Sequence, residues 1–500
     1  MLVLHGVVYP ETPVICADIS FTRLGAMVHR GGGAIVIGAS MGGLLAARAL
    51  AEHYDRVTII ERDELPESPE PRKGVPQGRH PHALHARGRE GLEQLFPGLT
   101  DELVAEGALR ADGAADFIWF NRGFYLCDAP SGLVGFLMSR PLLENGVRRH
   151  LLRLPNICLR QRSEVEEFVF DPTRGRVAGV HVRSRDSAEG VQTMTANLVV
   201  DATGRSSRCA VWLNALGYAA PREEKIEVGF GYTTRLYRRQ PEQLNGKLGA
   251  IFGACPPNWR GGAIVAQEGD RWIVSLGGYL GDHAPTNEEG FLEFAKSLQR
   301  PDIYRVIREA EKLSPLMPYR FGTNLRRHYA ELSRFPQGLL VYGDALCSFN
   351  PIYGQGMTIA VMESFALRQC LAAGTDDIAR RFFRAAAALI DTPWQITVSS
   401  DLQHPGVEGK RPVQLRLFNW YITRLFRAAQ SDIVLTTRFL EMLNLIRQPA
   451  ALLEPGTALR VWRGNRRRTH RANPPLALLS RMHQHLYLHP PLLSGDGRAP

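Results

Sequence analysis

The feature that most constrains the fold of this chain is a short apolar run that ends at a glycine and continues into a helical pattern. Residues 34–37 (Ala-Ile-Val-Ile) predict a buried strand, and residues 42–52 carry apolar side chains at helical spacing. A second apolar run, residues 56–60, ends at Glu61, which follows Gly38 by the roughly 20 residues at which a carboxylate reaches an adenosine ribose. This pattern predicts a βαβ unit that binds a dinucleotide.

The turn between the first strand and the helix contains the residues that would bind the pyrophosphate of the dinucleotide. Gly38 permits the tight turn and Gly43 permits close packing of helix on strand, so that a pyrophosphate rests on the helix N-terminus. Ser40 replaces the middle glycine of GxGxxG, and an ordinary βαβ turn is the alternative interpretation. We assign the following turn and strand-end residues to the dinucleotide: Gly38, Ser40, Met41, Gly42, Gly43 and Glu61.

A second motif lies far downstream, where the apolar residues 339–342 lead into Gly343-Asp344. It continues with Pro351, Gly354, Gln355, Gly356 and Met357, and a helix is predicted from about Thr358. The motif resembles the GD…P…G.G signature of FAD-dependent hydroxylases. The resemblance implies that Asp344 holds the ribityl chain and that the glycine loop opens a helix towards the flavin pyrimidine, where a helix N-terminus stabilises the negative charge of reduced flavin.

The run from Leu198 to Arg208 resembles the second FAD element of the same family, with Asp201 and Gly204 at the cofactor. It departs from the usual Asp-Gly by an Ala-Thr insertion, as in reductases and epoxidases of isoprenoid-type substrates. The resemblance assigns further residues to FAD: Arg62, Lys73, Gly74, Val75, Arg140 and Val165.

Residues 72–84 and 349–357 are similar to a narrower subgroup, the flavin epoxidases of polyether polyketide biosynthesis. The resemblance extends from about residue 33 to about residue 460. It implies an FAD-dependent monooxygenase that transfers oxygen from a flavin C4a-hydroperoxide to a lipophilic polyene or aromatic molecule, by epoxidation or hydroxylation, in secondary metabolism. O2 is the co-substrate. Because there is no second glycine-rich βαβ unit, the electrons are expected from transiently bound NAD(P)H or from a partner flavin reductase. No catalytic acid or base is assigned.

Three other functions stay open. The chain fits a flavin reductase or desaturase of isoprenoid-like substrates, or a flavin halogenase, although it has no Trp-x-Trp-x-Ile-Pro element. Outside enzymes, it fits a flavin-bearing, membrane-associated binding protein.

The predicted fold class is α/β. It comprises a Rossmann-like FAD-binding domain of the glutathione-reductase type with an inserted β-meander, an antiparallel-sheet substrate domain and a C-terminal helical region. The predicted bounds are a poorly ordered extension (1–30), the discontinuous FAD-binding domain (31–221 and 331–400), the substrate domain (222–330) and the helical region with a basic tail (401–500). Six aromatic residues are candidates for the substrate pocket: Phe230, Tyr232, Phe252, Trp259, Trp272 and Tyr279.

The composition limits which metals, nucleic acids or membranes the chain is expected to bind. The 7 cysteines form no CxxC pair, which argues against a disulfide framework or a zinc site and favours the cytoplasm. No metal site is expected at the clustered histidines. The net charge of +10 is spread along the chain, so nucleic acid is not an expected partner. Residues 412–427 predict an amphipathic helix, for which docking on the FAD domain is favoured over peripheral membrane contact.

Overall fold

The computed structural model describes residues 31–186 and 190–466. The predicted disorder of residues 1–30 and the basic tail after residue 466 therefore lie outside the described residues. The strands are β1 (Gly33–Ile37), β2 (Arg56–Ile60), β3 (Ala83–Leu84), β4 (Leu109–Asp112), β5 (Phe117–Asn121), β6 (Phe124–Tyr125), β7 (Val134–Leu137), β8 (Ile157–Arg160), β9 (Ser163–Asp171), β10 (Arg176–Ser184), β11 (Gln192–Thr195), β12 (Leu198–Asp201), β13 (Glu223–Arg238), β14 (Gly249–Phe252), β15 (Arg260–Gln267), β16 (Arg271–Gly278), β17 (Met317–Arg327), β18 (Leu339–Val341) and β19 (Cys347–Ser348). The α-helices are α1 (Met41–Leu50), α2 (Ala86–Leu95), α3 (Leu99–Ala105), α4 (Arg140–Leu152), α5 (Cys209–Ala215), α6 (Glu288–Lys296), α7 (Asp302–Ile307), α8 (Gly356–Ala372), α9 (Ile378–Asp401), α10 (Val413–Ala429), α11 (Ile433–Leu443) and α12 (Pro455–Arg466).

A five-stranded sheet forms the dinucleotide-binding part, with the strand order β18-β12-β1-β2-β8. All four strand pairs are parallel. Strands buried on both faces need apolar residues at consecutive positions, which explains why β12 and β18 consist almost entirely of leucine and valine. Helices α1 and α8 pack together in the core beside this sheet. The carboxyl ends of β1, β12 and β18 therefore meet at one edge, where the predicted motifs begin.

A three-stranded antiparallel meander, β9-β10-β11, is inserted before β12. A separate small sheet has the order β3-β7-β4. The mixed α/β fold class with its inserted meander is confirmed.

The large sheet has eight strands in the order β19-β17-β13-β16-β15-β14-β5-β6. It is not built from residues 222–330 alone, because β5 and β6 lie before that range and β19 after it. Strand β14 leaves one edge for hydrogen bonding, and β5 pairs with it in parallel, with Gly249 opposite Phe117. A Cβ atom on Gly249 would lie 2.4 Å from the Phe117 ring, so this pairing requires the glycine.

The C-terminal helices α10, α11 and α12 pack in an apolar cluster with Leu126, which follows β6; the cluster includes Leu425, Phe426, Leu435 and Val461. Part of α10 is therefore docked on the protein. Its other face exposes Val413, Leu417 and Trp420. Within the described residues, no helix is long and apolar enough to cross a membrane.

Candidate cofactor and substrate site

One cavity of about 1780 Å³ opens where the parallel sheet, the large sheet and the C-terminal helices meet. Most of the residues predicted for FAD line it: Ser40, Met41, Gly42, Arg62, Lys73, Gly74, Val75, Arg140, Gly204, Asp344, Pro351, Gly354, Gln355, Gly356 and Met357. Five predicted residues do not line it: Gly38, Gly43, Glu61, Val165 and Asp201. The sequence motifs, the first and last of which lie more than 300 residues apart, therefore converge on one site.

The N-terminus of α1 faces this cavity and carries no side-chain cap. Gly38 has a φ of +101°, which a residue with a Cβ atom rarely adopts, so the turn requires glycine. A Cβ atom on Gly43 would lie 1.8 Å from the Gly38 carbonyl oxygen. Both glycines thus determine the conformation of the turn without lining the cavity. The free N–H groups of the first helical turn are left for an anion.

Glu61 lies beneath the turn rather than in the cavity wall. Its carboxylate accepts hydrogen bonds from the N–H groups of Ala39 (2.8 Å) and Asp63 (3.0 Å), and the residue is 5% exposed. In this structure Glu61 fixes the backbone of the turn. Its contact with a ribose stays a prediction.

A buried ion-pair network that the sequence motifs did not reveal supports the same turn. Arg140 donates to Ser40 Oγ (3.0 Å) and to Glu144 (3.2 Å). Arg72 pairs with Glu144 (3.3 Å) and with Glu61 (3.3 Å). These contacts link β2, α4 and the loop before residue 76, so Arg72 and Glu144 position Ser40 and Arg140 at the cavity.

Asp201, like Glu61, does not line the cavity but supports a segment that does. It is fully buried and accepts hydrogen bonds from Thr203 Oγ1 (2.6 Å) and Ser207 Oγ (2.6 Å). These bonds hold the turn that presents Gly204 and Arg205 to the cavity. Val165 lies on β9 and packs in the hydrophobic core.

Asp344 is a cavity-lining carboxyl, and its contact with the ribityl chain stays a prediction. Its enclosure by protein raises the pKa of this carboxyl, although the charges of Arg140 and Arg205 act in the opposite direction. Beneath it, Glu363 on α8 accepts a hydrogen bond from the N–H of Gly343 (2.9 Å). Burial raises the pKa of Glu363 to about 8. Glu363 therefore fixes the backbone next to Asp344, a contact that the sequence did not predict.

The loop of residues 350–357 ends in α8, whose N-terminus also faces the cavity without a side-chain cap. Gly354 has a φ of +66°, and a Cβ atom there would lie 3.0 Å from His85 Nε2. Gly356 has no positive φ, and a Cβ atom on it meets no described atom within 4 Å apart from its chain neighbours and the adjacent backbone of α8. The backbone requirement thus belongs to Gly354, whereas the space beside Gly356 is cavity.

Asp401 at the end of α9 holds this loop in place. Its buried carboxylate accepts hydrogen bonds from Tyr353 Oη (2.9 Å), Asn350 Nδ2 (3.2 Å), Tyr279 Oη (2.7 Å) and Asn324 Nδ2 (2.7 Å). Burial raises the pKa of Asp401 to about 6, and these four hydrogen bonds oppose the shift. The loop of residues 350–357, strand β17 and the residue that follows β16 are therefore joined through one carboxyl group.

The charges that line the cavity fit FAD. Two uncapped helix N-termini face it, and among its described lining residues there are five cationic side chains but a single carboxyl, Asp344. The cations are Arg62, Lys73, Arg122, Arg140 and Arg205. This excess of positive charge would stabilise an anionic pyrophosphate and a negatively charged reduced flavin. Within 31–186 and 190–466 we find no cluster of three His, Cys, Asp or Glu residues that could hold a metal.

The other half of the cavity is apolar, and we call it the apolar half. It is lined by Phe117, Trp119, Phe252, Phe418 and Phe426, among others. Of the six aromatic candidates, Phe230, Tyr232 and Phe252 line the cavity. The other three do not. Trp272 is fully buried and donates to Gln243, and Tyr279 binds Asp401.

An anion-binding part beside an apolar half is the arrangement expected of a flavoprotein. Residues 33–381 match a family described as FAD binding domain, and the chain belongs to this family. Protein Rv3254 of Mycobacterium tuberculosis (strain ATCC 25618 / H37Rv) is 33% identical over 425 residues, which cover 83% of this chain and 89% of that protein.

Solved structures share the fold. p-Nitrophenol 4-monooxygenase PnpA from Pseudomonas putida DLL-E4 is 17% identical with a TM-score of 0.60, and the match covers 84% of this chain and 99% of PnpA. The flavin-dependent brominase Bmp2 is 14% identical with a TM-score of 0.61, and the match covers 87% of this chain and 98% of Bmp2. The predicted FAD-binding fold is confirmed.

Proposed function

We propose that the protein is an FAD-dependent monooxygenase that inserts one oxygen atom from O2 into a lipophilic polyene or aromatic molecule, by epoxidation or hydroxylation. The observation that supports this most is the continuity of the FAD cradle with the apolar half in one cavity. Bound FAD, once reduced, would supply the electrons that activate O2.

The residues of the chain have separate tasks in this proposal. Arg140 and Lys73 attract the phosphates, and the α1 N-terminus binds them through backbone N–H groups. The α8 N-terminus stabilises negative charge on the reduced cofactor. The aromatic walls of the apolar half exclude water and position the substrate. No side chain is assigned as a general acid or base.

Product analysis with 18O2 tests the proposal. The holoprotein is incubated with NAD(P)H, alone or with a flavin reductase, and with a panel of polyenes and aromatics. We expect one 18O atom in the product. Saturation or desaturation of the substrate without 18O would assign a reductase or desaturase instead, and a bromide-dependent brominated product would assign a halogenase.

A further inference from the structure

Arg122 is the one cation of the apolar half among the described residues. The other four cavity-lining cations lie in the FAD-binding part, at residues 62, 73, 140 and 205. Arg122 instead belongs to the turn between β5 and β6, on the large sheet, and it lies against α10.

The backbone of this turn is one that an arginine rarely adopts. Arg122 has a φ of +53° and Gly123 has a φ of +83°. Two-residue hairpin turns with two positive φ angles favour Asn-Gly, Asp-Gly or Gly-Gly, because these residues tolerate the left-handed conformation. An arginine in the first position therefore costs stability, and such strain is concentrated at functional sites.

The guanidinium group of Arg122 has hydrogen-bond partners but no counter-ion. Its Nη1 donates to Asn419 O (3.2 Å) and Thr423 Oγ1 (3.0 Å), and its Nη2 donates to Gln403 Oε1 (2.5 Å) and Asn419 Oδ1 (3.1 Å). All of these acceptors are neutral. No Asp or Glu in the part of the chain that the structure describes forms an ion pair with Arg122.

Three of the groups around this cation face the cavity with it, namely Gln403, Asn419 and Cys255. Desolvation lowers the pKa of Arg122, and Cys255 and Tyr353 act on it in the opposite direction. A guanidinium group keeps its charge under these conditions. A partly buried cation without an anion is unfavourable unless a ligand supplies one.

We infer that Arg122 binds a carboxylate, or a similar anionic group, on the lipophilic substrate. This inference rests on the proposed function, because it takes the apolar half to be the place where the substrate binds. It narrows the substrate class to amphipathic molecules with an apolar chain or ring system and one anionic end.

Matched pairs of probes test this inference without turnover. The oxidised holoprotein is titrated with all-trans-retinoic acid and all-trans-retinol, and with dodecanoate and dodecanol, and binding is followed by perturbation of the flavin absorbance and by competition. We expect at least one acid to bind at least tenfold more tightly than its alcohol. In Arg122→Gln this preference should fall below twofold, while the Kd of the alcohol changes less than threefold.

Arg122→Lys keeps the charge and should retain part of the preference. Arg416→Gln removes an exposed arginine of α10 that does not line the cavity, and it should leave both Kd values unchanged. Thermal unfolding of each variant shows whether the hairpin still docks on α10.

The inference is overturned if no acid binds more tightly than its alcohol to the wild-type protein, or if the preference persists in Arg122→Gln. A merely structural role for Arg122 would lower the Tm and weaken acid and alcohol equally. Because binding is measured on the oxidised protein, failure of oxygen insertion leaves this test intact, and the two outcomes are distinguishable.

Discussion

The hydroxyl group of Tyr353 donates a hydrogen bond of 2.9 Å to the carboxylate of Asp401. Tyr353 lies on the loop that leads into α8, and Asp401 lies at the end of α9. The same carboxylate accepts hydrogen bonds from β17 and from Tyr279, so the loop of residues 350–357 is fixed to the large sheet.

Asp401→Ala should destabilise the protein and loosen this loop. Four donors, three of them on buried residues, lose this acceptor, and an unsatisfied buried donor costs about 1–3 kcal/mol, so we expect a loss of roughly 3 kcal/mol or more in the free energy of unfolding. Urea unfolding of the holoprotein measures this. Asp391→Ala, which removes an exposed carboxyl of the same helix, is the control and should lose less than about 1 kcal/mol. Equal losses in the two variants would remove the special role of Asp401.

Glu363 should make stability depend on pH. Burial raises its pKa from 4.5 to about 8 in the folded protein, so the folded state binds a proton more tightly than the unfolded state. The stabilisation by this proton is fully present below about pH 4.5 and is lost as the pH rises through about 8. Glu363→Gln cannot ionise. Its stability relative to the wild type should therefore increase from pH 5 to pH 8, in denaturant titrations at saturating FAD. A constant difference across this range would show that Glu363 is ionised throughout.

Asp344→Ala should lose FAD without losing the fold. A charge-assisted hydrogen bond contributes about 1.5–3 kcal/mol, so the Kd for FAD should rise roughly ten- to hundredfold. Fluorescence titration of the apoprotein measures this, and circular dichroism monitors the fold. The released cofactor should be FAD and not FMN. If the variant keeps wild-type affinity, Asp344 does not contact the cofactor.

The two loop glycines should respond differently to substitution. Gly356→Val adds a side chain where there is only cavity, so the Tm without FAD should stay within a few degrees of the wild type while turnover is abolished. Gly354→Val forces a β-branched residue to a φ of +66° beside His85, so its Tm should fall. Wild-type activity with tightly bound FAD in Gly356→Val would mean that the flavin does not lie next to this loop.

Lipid contact of the C-terminal helices stays a prediction from the sequence, and the structure identifies the residues to test. Trp420 and Trp462 are about half exposed, and every charged residue of α10 and α12 is an arginine. Helix faces with exposed tryptophan and arginine side chains bind anionic bilayers. The wild-type protein should sediment with phosphatidylglycerol vesicles more than with phosphatidylcholine vesicles. Trp420→Ala/Trp462→Ala should bind at least threefold more weakly, and Val211→Ala, with an exposed valine on α5, should not. No sedimentation with either vesicle would contradict membrane contact.

The parts of the site that the sequence predicted are local in the chain. The turn after Gly38 and the loop at Gly354 depend on glycines a few residues apart, so a linear motif captures them. Asp401 was missed because its four partners lie 48 to 122 residues away.

The domain boundaries, too, depend on contacts between residues far apart in the chain. Strands β5 and β6 join the large sheet through β14, which lies more than 100 residues later in the chain, and no local pattern indicates that pairing. The strain at Arg122 lies in its φ angle and its lack of a counter-ion lies in its neutral partners, and no local sequence pattern encodes either.

The oxygen reaction of the reduced holoprotein tests the central claim most directly. The protein is reduced without oxygen and mixed rapidly with O2 while absorbance is followed from the near ultraviolet to the visible. A monooxygenase should show a transient near-ultraviolet band that belongs to neither reduced nor oxidised FAD, followed by a slower return of the oxidised spectrum. A single-phase return to oxidised FAD, with one equivalent of hydrogen peroxide and no transient at any substrate or pH tested, would contradict the proposal.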